Sequence, residues 1–296
     1  MKMNNHLSKI TAFTLIVGGT VLFSCKDEDR LTITDTEEIT EEAVTDSYFL
    51  DMDDMATVAV SAPADDQYSG GRISSTITIT DTRFCPGTVV TIQPAEGSTL
   101  TVPKGVITVN FGTLGCTDQR GNIRTGKLIF TYNKWRFHPG STIITTTDNY
   151  TINGIKLEGV RTLTNVNAEN ANPLVDGSKF NVVLENGKAT FLADGTTAER
   201  ESDITWTWFK TANASTDFLS IEPTSEASGK TRAGRVYQVD VFEALIYKRF
   251  CGIAVSGIKK YQLDGTKEIT IDYGDGECDK TVVVTVNGSS RNFTIN

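Results

Sequence analysis

The chain has 296 residues, of which 39% are hydrophobic and 8% aromatic, and its formal net charge at pH 7 is −9. This content is sufficient for one large or two medium folded domains, so the composition excludes an extended disordered stalk. The excess of acidic residues argues against nucleic acid as a partner and against adsorption on anionic lipid, since both need concentrated Lys and Arg side chains.

The N-terminal segment has the composition of a secretory signal peptide. Two lysines precede an apolar run over 10–21, which is shorter than the ~20 residues that a membrane-spanning helix needs. Residues 22–25, Leu-Phe-Ser-Cys, resemble the bacterial lipobox. The resemblance implies that a lipoprotein signal peptide, 1–24, is removed and that the thiol of Cys25 is acylated with a fatty acid such as palmitate.

The residues after Cys25 carry a second resemblance. Lys26-Asp27-Glu28-Asp29 is similar to the surface-export tag of lipoproteins from Bacteroidota, which implies an outer-membrane protein displayed on the cell surface. Two interpretations stay open: a periplasm-facing lipoprotein whose acids only solvate a tether, and an ordinary signal peptide that contains a cysteine. We expect 25–60 to form a lipidated acidic tether, flexible up to Thr40, and a short helix over 41–59.

Two segments of the chain share one arrangement of cysteines. In each, an Arg-Phe-Cys triplet (83–85 and 249–251) precedes an alternating β run, and an aromatic-Gly pair precedes a second cysteine. We interpret this as a twofold repeat, with β repeat 1 over 61–170 and β repeat 2 over 171–296. One elongated body with two pseudo-equivalent ends is the alternative to two domains. Four cysteines allow three pairings, and the repeat selects Cys85–Cys116 and Cys251–Cys278.

The rest of the chain is typical of antiparallel β structure. Asn-Gly pairs at 153–154, 186–187 and 287–288 lie between alternating apolar runs and predict hairpins, since a type I′ turn needs positive φ at both central residues. β-branched and aromatic residues predict further strands at 142–147, 236–250 and 281–286. The predicted fold is an all-β, antiparallel, hairpin-rich, β-sandwich-like body with one short N-terminal helix.

Few residues are candidates for catalysis. A mature protein that begins at Cys25 has one histidine, His138, in a segment typical of a strand that ends in a turn. One imidazole is too few for most metal hydrolases, and the sequence has no Gly-x-Ser-x-Gly motif, phosphate-binding loop or Cys-x-x-Cys motif. We therefore predict a protein that is not an enzyme and interpret His138 as a structural surface residue.

An acidic turn near the C-terminus is the candidate metal site. Asp272, Asp275, Glu277 and Asp279 place carboxylates, which Ca²⁺ prefers as ligands, within eight residues. Their spacing differs from that of an EF-hand loop, and the alternative is a Gly-rich turn whose acids cap backbone amides. No other cofactor is predicted. The same acids could also form the catalytic pair of a carboxylate-type glycoside hydrolase, and this enzyme is the alternative function.

The same turn is similar to a short motif of a known module. Ile271-Asp272-Tyr273-Gly274-Asp275-Gly276 resembles the Trp-Asp-Phe-Gly-Asp-Gly signature of polycystic-kidney-disease (PKD) repeats, which are β-sandwich modules common in extracellular bacterial proteins. The similarity covers 271–276, lacks the Trp, and does not extend to the first repeat, which departs after Phe111-Gly112. It implies an extracellular, β-sandwich-like setting.

Three tryptophans are candidate ligand-binding residues. Trp206 and Trp208 lie two apart on a predicted strand and so face the same side, while Trp135 lies near a predicted turn. Exposed rings form platforms for sugars, and surface lipoproteins of Bacteroidota often bind glycans; the alternative is that the rings belong to the core. We expect a lipid-anchored, non-enzymatic surface protein that binds an extracellular glycan or protein or serves in adhesion or envelope structure. An assembly partner of another envelope protein is a further alternative.

Overall fold

The computed structural model describes residues 32–61, 75–212, 216–248, 251, 253–279 and 281–294. Over these ranges the chain forms one helix and fifteen antiparallel strands, which confirms the predicted all-β class with an N-terminal helix. The predicted signal peptide and Cys25 lie outside the described residues. The elements are α1 (Ile33–Ser61), β1 (Ser75–Ile77), β2 (Val89–Pro94), β3 (Gly105–Thr117), β4 (Ile123–Tyr132), β5 (Thr142–Ile152), β6 (Ile155–Asn165), β7 (Ser178–Phe191), β8 (Thr197–Phe209), β9 (Phe218–Ile221), β10 (Glu226–Lys230), β11 (Val236–Lys248), β12 (Ser256–Leu263), β13 (Lys267–Asp275), β14 (Thr281–Val286) and β15 (Ser289–Thr294).

The strands lie in one sheet, nearly in the order of the sequence. β1 to β8 are consecutive neighbours, β10 follows β8, and the order then continues to β15. The short β9 pairs with β8 and β11, so β9 and β10 occupy the same position between these two strands at different heights. The two predicted repeats meet at the β6–β7 pair inside this sheet, and their division into domains stays a prediction.

Two of the three predicted Asn-Gly hairpins are present. Asn153-Gly154 joins β5 to β6, and Asn287-Gly288 joins β14 to β15. All four residues have positive φ, as the type I′ turn requires. The strands predicted at 142–147 and 281–286 are also confirmed, within β5 and as β14.

The hairpin predicted at Asn186-Gly187 is wrong. β7 continues through both residues to Phe191, and the turn to β8 comes after it. Only Asn186 has positive φ, at 54°, so the pair forms a bulge at which the register with β8 shifts. Gly187 is needed there because a Cβ atom would lie 2.3 Å from the carbonyl oxygen of Arg200.

The flexible tether expected up to Thr40 is also wrong over its last residues, because α1 begins at Ile33. The start is fixed by a reciprocal cap. The backbone N–H of Asp35 donates to Thr32 Oγ1 (3.1 Å), and the backbone N–H of Thr32 donates to Asp35 Oδ2 (2.8 Å). This exchange satisfies two amides that a helix start otherwise leaves unpaired.

The core lies between α1 and the inward side chains of the sheet. Phe49, Met52 and Met55 of α1 are almost fully buried in a large cluster formed mainly with β2–β9. A second cluster joins β10–β14, and Ile39 of α1 packs against it. One helix therefore contacts both parts of the core.

Both predicted disulfides are confirmed: Cys85 pairs with Cys116, and Cys251 pairs with Cys278. Cys116 lies near the end of β3, and Cys278 follows β13, which runs in the opposite direction. The two disulfides therefore lie at opposite ends of the strands. We call these the Cys116 end and the Cys278 end of the sheet.

Candidate functional site: an ion-paired helix and two surface grooves

Eight acidic side chains of α1 pair with basic side chains of the sheet and its turns. The helix contains nine Asp and Glu residues and no Lys or Arg, so it depends on the sheet for countercharge. The ion pairs, which we call the helix clamp, are Asp35 with Arg235 and Lys267, Glu38 with Arg235, Glu41 with Arg232, Glu42 and Asp46 with Arg200, Asp51 with Arg124, Asp53 with Arg161, and Asp54 with Arg83. The cations come from separate strands and turns, so α1 is held across the width of the sheet.

Three arginines of the clamp occupy inward positions on their strands. Arg124 on β4, Arg161 on β6 and Arg200 on β8 follow the same alternation as the buried apolar residues beside them. A strand directs every second side chain to the same face, so each guanidinium must enter the core. An arginine at such a position predicts a buried carboxylate partner, because an unpaired buried charge is strongly unfavourable.

Arg124 of the clamp is completely buried, together with its second partner Asp118, which follows β3. Arg124 Nη1 lies 2.6 Å from Asp51 Oδ2, and Arg124 Nη2 lies 2.9 Å from Asp118 Oδ2. Burial by itself would raise the pKa of Asp118, but hydrogen bonds from Asn122 and Arg124 outweigh burial and lower it. Asp118 is therefore an ionised structural partner of Arg124 at neutral pH.

The first turn of α1 is held in the same way. Burial by itself would raise the pKa of Asp35, but hydrogen bonds from Arg235, Lys267 and Thr32 outweigh burial and place the pKa well below its usual range. Glu38 accepts a hydrogen bond from the hydroxyl of Thr231 (2.9 Å). The N-terminus of the helix is thus fixed to the Cys116 end of β11 and β13.

Arg136 is a buried cation with no carboxylate within 4 Å among the described residues. Its guanidinium centre lies 4.8 Å from the ring centroid of Phe180 and 5.6 Å from those of Phe137 and Trp206. Burial lowers the pKa of Arg136 to about 10, although Asp53 raises it. The aromatic faces offset part of the lost hydration through cation–π contacts.

Lys259 of β12 is another buried cation and lies next to α1. Its Nζ donates to the hydroxyl of Tyr261 (3.5 Å), which donates in turn to Glu42 Oε2 (2.8 Å). Burial by itself would lower the pKa of Lys259, but the electrostatic effects of Tyr261 and Glu42 outweigh burial and raise it well above its ordinary value. A cavity of about 20 Å³ lies beside Lys259, Asp46 and Arg200, enough for a water molecule. The amine is protonated at neutral pH and so is a structural cation and not a nucleophile.

The outer face of the sheet carries a groove of about 410 Å³ across β7, β8, β10 and β11. We call it the acidic groove; its polar lining residues are Glu185, Glu201, Ser202, Asp203, Glu226, Ser228 and Gln238. Asp203 and Glu226 lie directly opposite each other on neighbouring strands. Asn181 donates to Asp203 Oδ1 (2.5 Å), which orients that carboxylate.

A second groove, of about 390 Å³, lies beside the Cys85–Cys116 disulfide. We call it the threonine groove, because Thr78, Thr80, Thr82 and Thr88 line it. It also contains Asp81, which pairs with Arg83 (Nε to Oδ1, 2.8 Å). The hydrogen bond from Arg83 lowers the pKa of Asp81 and outweighs the effect of burial. The charge of Asp81 is thus neutralised by Arg83.

The three candidate tryptophans lie in different environments. Trp206 is 6% exposed and packs in the core, 4.7 Å from the ring centroid of Phe180. Trp208 faces the same inner side of the sheet and is half-buried, with Lys210 Nζ 4.8 Å from its ring centroid. Trp135 is half-buried, and its indole N–H donates to the carbonyl oxygen of Leu100 (2.9 Å). Only Trp135 and Trp208 have ring surface that a ligand can reach.

The acidic turn is organised by its own backbone. Asp272 Oδ1 accepts from the N–H of Gly274, and Asp279 Oδ1 accepts from the N–H of Thr281, both at 2.8 Å. These are the amide-capping contacts of the alternative interpretation. Over the described residues, no three His, Cys, Asp or Glu side chains are grouped to hold a metal ion, with Asp275 and Glu277 included in that search. His138 is exposed in a turn.

No family model, curated protein or solved structure matches this chain. In the part of the chain that the structure describes, α1 is the only helix, and it is too polar to cross a membrane.

Proposed function

We propose that the chain is a lipid-anchored, non-enzymatic protein of the bacterial outer membrane, exposed on the cell surface, that binds a hydroxyl-rich extracellular ligand such as a glycan. The pattern around Cys25 supports the anchor, and the acidic residues behind it support surface export. The observation that carries the binding function is the acidic groove, whose volume of about 410 Å³ falls within the usual range for ligand sites.

The chemistry of the acidic groove suits a sugar. Its carboxylates accept hydrogen bonds from hydroxyl groups, while Ser228 and Gln238 both donate and accept. The backbone that supports these side chains belongs to four paired strands, so little conformational entropy is lost when a ligand binds. Trp135 and Trp208 lie on other surfaces and are not part of this groove.

Binding is favoured over hydrolysis by the exposure of the acids. Asp203 and Glu226 lie directly opposite each other on neighbouring strands, where Cβ atoms are ~5 Å apart, whereas the two acids of a glycoside hydrolase flank the scissile bond. Both side chains are exposed on an open outer face. The general acid of such an enzyme lies in an apolar pocket, whereas these two side chains are open to solvent.

A glycan-binding screen with protein that begins at residue 26 tests the groove. We expect binding to at least one glycan, loss of that binding in Asp203→Asn and Glu226→Gln, and no release of reducing sugar. Glu268→Gln, an exposed acid on β13 outside the groove, is the matched control and should bind normally. Equal binding by all variants would exclude the groove, and hydrolysis abolished by Glu226→Gln would favour the glycoside hydrolase.

The anchor needs its own test. Cells that express the full chain are grown with an alkyne analogue of palmitate, and the label on the protein is measured. We expect labelling of the wild type and none of Cys25→Ala. Equal labelling of both would place the acyl chain elsewhere, and no labelling of either would exclude the lipoprotein.

A further inference from the structure

The start of α1 is close in sequence to the proposed acylation site. Seven residues lead from Cys25 to Thr32, the cap of the helix. A chain of this length spans at most about 25 Å even when fully extended. The point at which the folded body begins can therefore lie no farther than this from the lipid.

That point is fixed to one end of the sheet. Asp35 pairs with Arg235 Nη1 (2.7 Å) and with Lys267, and Glu38 pairs with Arg235 Nη1 (2.8 Å). Arg235 immediately precedes β11, and Lys267 begins β13, so both lie at the Cys116 end. The carboxylates of Asp35 and Glu38 are almost completely buried, which leaves the first turn no room to swing away while the clamp is closed.

We propose that the clamp holds this end of β10–β13 against the surface of the lipid bilayer, with the turn at 231–235 next to the headgroups. The proposal goes beyond ligand binding and depends on the acylation of Cys25. The Cys278 end then points away from the membrane, since strands such as β7, with 14 residues, separate the two ends by ~40 Å. The acidic groove, on the outer face of the sheet, opens sideways and stays accessible to an extracellular ligand.

Energy transfer to labelled vesicles tests this orientation. Protein from Cys25 onward is coupled through that thiol to a maleimide lipid in phosphatidylcholine vesicles that contain an acceptor dye on a fraction of the headgroups. A donor dye is attached at Ala233→p-azidophenylalanine, at the Cys116 end, or at Leu174→p-azidophenylalanine, at the Cys278 end; both positions are exposed. With ~40 Å between the ends, we expect at least about threefold higher transfer from position 233.

Two variants separate the clamp from the anchor. A Gly/Ser insertion of about 20 residues after Asp29 adds ~25 Å of mean reach and should lower the transfer from position 233 to that of position 174. Arg235→Ala combined with Lys267→Ala, which opens the first turn, should lower it in the same direction. Equal transfer from both positions in the uninserted protein, or no effect of the insertion, would overturn the proposal. Because the coupling is chemical, a failure of palmitate labelling in cells would exclude the natural anchor without affecting this result.

Discussion

Asp53 on α1 and Arg161 on β6 form a buried ion pair in which Oδ2 and Nη2 are 2.7 Å apart, although 108 positions separate the two residues in the sequence. Their side chains are 6% and 1% exposed. Neither can be removed without leaving the other charge buried and unpaired. The pair therefore makes the position of the helix depend on the sheet, and the folding of the sheet depend on the helix.

Breaking this pair should strongly destabilise the protein. We expect Arg161→Ala and Asp53→Ala each to reduce the free energy of unfolding by about 3–5 kcal/mol, the usual cost of an uncompensated buried charge. Urea denaturation with linear extrapolation measures the change. The double variant should lose less than the sum of the two, because it leaves no unpaired charge.

The matched control is an exposed pair, Lys179 with Glu222, whose side chains are 40% and 31% exposed. Lys179→Ala should cost about 1 kcal/mol or less. A loss as small as this in Arg161→Ala would contradict the structural role of the clamp.

Replacing Arg136 should destabilise the protein less than replacing Arg161. Arg136 lies against aromatic rings and has no carboxylate within 4 Å among the described residues. We therefore expect its charge to contribute less to the stability of the fold than the space that its side chain fills. We expect Arg136→Met to stay within about 1.5 kcal/mol of the wild type, since a side chain of similar size fills the site. Arg161→Met should lose about 3 kcal/mol or more, because Asp53 is left unpaired. Equal losses in the two variants, measured by urea denaturation, would contradict this distinction.

Acid should loosen the first turn of α1. The pKa of Asp35 is lower in the folded protein than in the unfolded chain, where the pKa of an Asp is ~3.9, so its ionised form stabilises the fold at neutral pH. That contribution is lost progressively as the pH falls below about 5 toward the folded pKa. We expect Asp35→Asn to be less stable than the wild type at pH 7 and to lose less stability between pH 5 and pH 3. Thermal melts over this range provide the measurement, with Glu268→Gln as an exposed control. Parallel pH curves for Asp35→Asn and the wild type would show that Asp35 does not act in this way.

The two disulfides should act independently. They lie at opposite ends of the sheet and close loops with sequence separations of 31 and 27 residues. Replacing both cysteines of either pair by Ser should cost about 3–4 kcal/mol in the loop-entropy model. The losses in guanidinium denaturation should add, since distant sites without shared partners are additive. A marked departure from additivity would mean that the two ends are coupled through the sheet.

The local features of the fold are readable from the sequence. Asn153-Gly154 and Asn287-Gly288 specify turns through the conformations that these residues accept, and the repeated Arg-Phe-Cys triplet specifies the disulfide pairing. Asn186-Gly187 carries the same signal but forms a bulge. Pairing with β8 continues past it to Thr190, and this tertiary requirement overrides the local preference.

The helix clamp cannot be predicted from the sequence in the same way. Its partners lie far apart in the chain, for example 73 positions for Arg124 and Asp51 and 232 for Lys267 and Asp35. The acids of α1 alone suggest a solvated segment, and this is why a flexible tether is expected as far as Thr40. The usable signal is an arginine at an inward strand position, as with Arg161 and Arg200. Such residues predict that an acidic element covers the sheet, but not which one.

The candidate ligand site also depends on contacts between residues that are distant in the sequence. Trp206 and Trp208 are correctly placed on one face by strand alternation, yet that face is the inner one. The acidic groove brings together Glu185, Asp203 and Glu226 from three strands. Their side chains meet only because β8 pairs with both β7 and β10, which no local pattern specifies.

Protease treatment of intact cells tests the central proposal, a surface-exposed lipoprotein, most directly. Cells that express the protein are treated with protease before and after permeabilisation of the outer membrane, and the protein is detected with an antibody against the folded body. A periplasmic protein serves as the internal control for membrane integrity. We expect digestion on intact cells while this control stays protected. Protection until the membrane is opened would contradict surface display and would place the protein in the periplasm.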